Sequence, residues 1–125
     1  MAIKAQGDVV MKLDPVKVVK VRGLEDLGRF AASIAGLGQP IYVIHFMSSE
    51  GHHVYGILAV YRDYYNLYGV PIFYYFESKE ELRGKYILVK ADEHREQVVV
   101  SSGIRPGWIH IPIITLEEKP DFIDL

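Results

Sequence analysis

Five histidines, His45, His52, His53, His94 and His110, are the residues best suited to metal ligation or proton transfer. If residues 41–47 pair with residues 53–65 across the turn Ser48-Ser49-Glu50-Gly51, His45 comes close to His52 and His53, with Glu50 nearby. Two imidazoles and a carboxylate form a ligand set for zinc or a similar ion. Strand alternation opposes this, because neighbouring residues point to opposite faces and His52 and His53 cannot both meet one ion. His45, Glu50, His52 and His53 are therefore metal candidates on spacing alone, and ordinary turn histidines are the simpler reading. No cofactor is expected.

Other chemistry is no better represented. The chain has no cysteine, which removes disulfides, thiolate zinc sites, iron–sulfur ligation and thiol catalysis. The serine pairs Ser48-Ser49 and Ser101-Ser102 have no nucleophile-elbow sequence beside them. Asp63 and Glu77 do not show the spacing of a carboxylate pair, and Gly36-Leu37-Gly38 follows a helix instead of opening one around a phosphate. An enzyme is therefore not the expectation. A small-ligand cavity lined by His45, Tyr55 and Tyr74 is the third reading.

Binding surfaces are better supplied. The stretch NLYGVPIFYYFE, residues 66–77, alternates Val70, Ile72, Tyr74 and Phe76 against Pro71, Phe73, Tyr75 and Glu77, so both faces are apolar. A sheet with one wet face alternates more cleanly. These rings fill a core, form a self-association surface, or stack bases. Tyr61, Tyr64 and Tyr65 surround Arg62 at a strand end, and a basic N-terminal stretch brings Lys17, Lys20 and Arg22. With Tyr75, these residues would serve a single-stranded nucleic-acid binder, cations holding phosphates and rings stacking bases. Arg105 and Trp108 in SSGIRPGW offer a cation–π contact or a protein hot spot. The acidic tail at 117–125 carries Phe122, Ile123 and Leu125, which suit docking onto the domain or a partner.

The elements that would position these groups follow from local pattern. Period-two segments predict strands over residues 9–13, 16–22, 41–47, 53–65, 70–76, 85–91, 97–102 and 108–116. Leu24, Leu27, Ala31 and Ile34 fall at helical spacing, Glu25 and Asp26 sit in the first turn, and Gly36, Gly38 and Pro40 give a stop. Ser78 followed by Glu81 has the capping-box pattern and predicts a short helical turn ending at Gly84. Gly56 marks a bulge or a close approach to the helix. Pro112 lacks a ladder donor and predicts a sheet edge or a bulge.

These readings converge on an α+β domain over residues 1–116, followed by the tail. A curved, mainly antiparallel sheet of six to eight strands packs on one long helix, with the short helical turn in addition. At 125 residues, 50% apolar and with formal net charge −2, the chain suits one core and offers no global electrostatic attraction to nucleic acid. It shows no signal-peptide core and no apolar run of membrane-spanning length. The absence of cysteine suits the cytoplasm and a heat-adapted protein alike. The leading expectation is a non-enzymatic, homo-oligomeric or protein-binding module that uses a tyrosine-rich sheet surface. Single-stranded nucleic-acid binding comes second.

Overall fold

The computed structural model describes residues 16–35, 41–61, 70–91 and 95–125. The predicted strand at 9–13, the Asp14-Pro15 turn, the helix stop at Gly36, Gly38 and Pro40, and the turn containing His94 lie outside them. The described chain runs β1 (Lys17–Lys20), α1 (Leu24–Ala35), β2 (Val43–Met47), β3 (His53–Tyr61), β4 (Val70–Ser78), β5 (Tyr86–Ala91), β6 (Glu96–Ser101) and β7 (Ile109–Thr115). The seven strands form one open, curved sheet in the order β1-β4-β3-β2-β7-β5-β6. The pairs β1/β4 and β2/β7 are parallel; the other four pairs are antiparallel. The fold is α+β, as the pattern predicts, and its helix has 12 residues.

Helix α1 forms where the apolar period changes, and it buries Leu27, Gly28 and Ala31. Asp26 fastens its first turn by accepting from the Arg22 backbone N–H at 3.1 Å and from its guanidinium at 2.9 and 3.2 Å. A side chain at Gly28 would overlap the Val98 methyls, so glycine sets how closely the helix approaches β6. Beneath the helix, Leu27 and Ala31 share one core with Val43, Tyr55, Ile57, Phe76, Ile87, Val89 and Ile111.

The opposite, helix-free face has its own smaller core of Phe46, Val54, Phe73, Tyr75 and Ile123. Ile123 is fully buried there, so the acidic tail returns to the sheet and anchors by one side chain. Lys119 Nζ holds the return by donating to the carbonyls of Pro120 and Ile123. Phe122 and Leu125 stay exposed.

Three local expectations change. β7 is interior, between β2 and β5, in spite of Pro112. Ile113 N–H donates to Lys85 O on the β5 side at 2.9 Å, so the missing donor of Pro112 faces β2. The β2 ladder begins one residue later, at Val43 opposite Ile113, and no bond is lost. Gly56 is neither a bulge nor a helix contact: the β3/β4 register is unbroken from His53 to Tyr61, and Gly56 lies against Phe73 on the helix-free face. Residues 79–80 and 84–85 form bends, and no helical turn lies between them. Ser78 Oγ donates to Glu80 O at 2.7 Å instead of capping, and Leu82 N–H is taken by the Tyr55 hydroxyl at 2.8 Å.

Candidate functional site

The aromatic run 73–76 is structural. Phe73 and Phe76 are buried in the two cores, and Tyr74 packs on Phe30 of the helix with ring centroids 3.8 Å apart. Tyr75 lies beside Phe73 at 5.7 Å in the core that Ile123 completes. No base could stack on a ring covered in this way. The side chain of Tyr61, and Arg62, Tyr64 and Tyr65, lie outside the described residues.

The basic candidates are partly occupied. Lys17 is exposed on β1, the end strand among the described residues, and Lys20 Nζ stands 3.6 Å from Glu77. Arg22 is paired with Asp26, and that pairing raises the arginine pKa and lowers the aspartate's, chiefly through the side-chain hydrogen bond. At the far side of the sheet, Arg105 lies 5.3 Å from the Trp108 ring centre and Lys90 lies 5.9 Å from it. Arg105 N–H donates to His110 Nε2 at 2.9 Å, folding this loop back towards β7. The Arg105–Trp108 pair is therefore an intramolecular cation–π contact.

The histidines divide between the faces as alternation requires. His52 Nδ1 stands 3.5 Å from Glu77, which Lys20 also approaches, while Glu50 is exposed in the turn. His45 and His53 meet on the helix face, where Nε2 of the first lies 2.9 Å from Nδ1 of the second. Their ring centroids are 5.1 Å apart, about one ring radius beyond that gap at each end. The rings thus point at each other, as a shared proton demands; two nitrogens converging on one metal would bend away from that line. Among the described residues, no three His, Cys, Asp or Glu side chains gather to hold a metal ion.

His45 is buried, and its Nδ1 lies 3.0 Å from Thr115 Oγ1. Its ring stacks on Tyr55 at 4.4 Å and 6°. Burial first, then the neighbouring His53, lowers the His45 pKa, against an opposing pull from Glu81. Burial likewise raises the Tyr55 pKa, with the Leu82 N–H acting against it. Thr115, Glu81 and Leu82 carry no sequence signal for this cluster, since Thr115 is 70 positions from His45. The three rings of the proposed ligand cavity pack on protein: His45 on Tyr55, Tyr55 also on Phe76 at 5.6 Å, and Tyr74 on Phe30.

What the helix-free face leaves open is an apolar patch. Register places Leu58 and Val60 of β3 and Ile114 of β7 on this side, and exposed Tyr42 immediately precedes β2. They are 39%, 59%, 42% and 50% exposed. Exposed Phe122 and Leu125 belong to the tail that crosses the same face. Period-two alternation along β3 sets Leu58 and Val60 opposite its helix-facing residues, and Ile114 joins them through strand order.

Among the described residues no helix is long and apolar enough to cross a membrane. Comparison with known proteins finds no matching family model, no matching curated protein and no matching solved structure.

Proposed function

We propose that the protein is a non-enzymatic, cytoplasmic assembly module that self-associates through the helix-free face of its sheet. The observation that carries this reading is the patch of Leu58 and Val60 on β3 and Ile114 on β7, apolar side chains exposed on either side of β2, with exposed Tyr42 just before β2. A monomer gains nothing from leaving such side chains in water, and stacking two sheets face to face removes them from it.

Charge favours a second copy as the occupant. A twofold contact sets a patch against itself, so an unpaired charge there would meet its own kind. The four patch side chains are uncharged and, on the same face, Lys20 and Glu77 stand 3.6 Å apart; the exposed tail carboxylates Glu117, Glu118, Asp121 and Asp124 must then lie outside the contact. The surface is more aliphatic than the tyrosine-rich one the sequence suggests. Nucleic-acid binding has less support because Tyr75 is covered and Arg22 is paired. A ligand-binding or enzymatic role has less because His45, Tyr55 and Tyr74 pack on protein rings.

Light scattering across a concentration series tests the proposal. The solution mass should rise from the 14.2 kDa monomer towards twice that value. Leu58→Glu and Val60→Lys should each hold it at the monomer with an unchanged circular dichroism spectrum. A wild-type mass that stays monomeric throughout rejects self-association. Variants that still dimerise reject this face.

A further inference from the structure

We infer that the His45–His53 contact is a one-proton latch, and that a second proton opens it and frees the crossover segment 79–85. The nitrogens that face each other are 2.9 Å apart, so one must carry hydrogen and the other must accept. Two imidazoliums would aim two N–H bonds at each other across that gap. The closed pair therefore holds at most one proton beyond its neutral state, and a further proton requires separation.

The surroundings give the pair little freedom. His45 comes from β2, His53 and Tyr55 from β3, Thr115 from β7 and Glu81 from the crossover segment. Among the described residues, Glu81 and His53 are the charged or titratable groups that act on His45, with Tyr55 stacked on its ring, and β7 contributes the Thr115 hydroxyl. Glu81 favours the first proton, burial and His53 oppose it, and none of these groups makes room for two. The opening is transmitted by contact. Tyr55 stacks on His45, and its hydroxyl accepts the Leu82 N–H that fastens the crossover. A charged His45 drawn towards water removes the support of the Tyr55 ring and with it that acceptor.

The linkage has a definite sign. In the open form the solvated His45 regains the ordinary imidazole value of about 6.5, above its lowered value in the closed form. The closed form resists the last proton, so closure is complete above that pH and is lost as pH falls below it. With one proton taken up on opening, the opening equilibrium should rise about tenfold per pH unit in that range.

Hydrogen exchange of the Leu82 amide reads this directly, expressed as a protection factor so that intrinsic pH dependence is divided out. In the wild-type chain the Leu82 factor should fall about tenfold per pH unit below about pH 6.5, while amides of the β3/β4 ladder keep theirs. In His53→Ala the Leu82 profile should flatten. His45→Phe, which retains a ring on Tyr55, should flatten it too and serves if His53→Ala does not fold. Three results would each overturn the latch: a flat wild-type profile, a fall shared by the β3/β4 amides, or the wild-type slope surviving in the variants.

Discussion

Gly56→Ala places one methyl where the structure has no room for it. An ideal Cβ at Gly56 falls within 2.8 Å of three ring carbons of Phe73, whereas ordinary carbon contacts lie at about 3.5–4.0 Å. The ring or the strand must therefore give by about 1 Å. Phe73 has nowhere to go: it is fully buried, with Phe46 at 6.1 Å, Tyr75 at 5.7 Å, and Val54 and Ile123 in the same core. Overpacking of this kind costs about 1–3 kcal/mol, and an overlap with a fixed ring belongs near the top. Replacing glycine returns about 0.4–1 kcal/mol through the unfolded chain. The net loss should be about 2 kcal/mol, or roughly 8 °C in melting temperature for a domain of this size. Phe73→Leu makes the cross-check, because it removes the atoms that clash. In that background Gly56→Ala should cost nothing or stabilise by about 0.5 kcal/mol, giving a coupling of about 2 kcal/mol. Chemical denaturation of the four proteins in the cycle measures it. A Gly56→Ala loss below about 0.5 kcal/mol, or the same loss in both backgrounds, would refute the packing argument.

Two further outcomes follow from single contacts. Ile123→Ala should lose about 2–5 kcal/mol by denaturant titration, whereas exposed Phe122→Ala should stay within about 0.5 kcal/mol; equal effects would mean that the tail is not anchored as described. Asp26 has its folded pKa lowered by Arg22, so it contributes stability above the ordinary carboxylate value that is lost as pH falls through the folded one. Melting temperature followed from neutral pH into acid should therefore fall less steeply for Asp26→Asn than for wild type, and identical profiles would remove the pair from the account of acid stability.

Much of the fold can be read along the chain, and the reason is local. Strand alternation and helical spacing express how side chains leave the backbone, so the strands expected at 41–47, 53–65, 70–76, 85–91, 97–102 and 108–116 correspond to β2 to β7, with bounds that differ by a few residues. Leu24, Leu27 and Ala31 announce the helix face in the same way. Glycines and the SSEG turn mark the breaks. Where a local signal failed, a distant partner had taken the group it relied on. The Ser78 capping pattern gives no helix because Tyr55, 27 positions away from Leu82, claims the Leu82 N–H. Pro112 sits inside the sheet because strand order gives it a β2 neighbour whose ladder starts one residue later.

By itself, then, the sequence determined most of the described strands, the helix that begins at Leu24, the two apolar faces of β4 and the absence of thiol chemistry. Each is a property of neighbouring residues or of composition. Tertiary structure alone decided that β7 lies between β2 and β5, that Ile123 closes the second core over Tyr75, and that Ile114 shares an open patch with Leu58 and Val60. It also decided that His45 faces His53 and Thr115, and not His52 and Glu50. Strand order, register and the cover on each face are chosen by contacts between segments far apart in the chain, and no short window of sequence contains both partners.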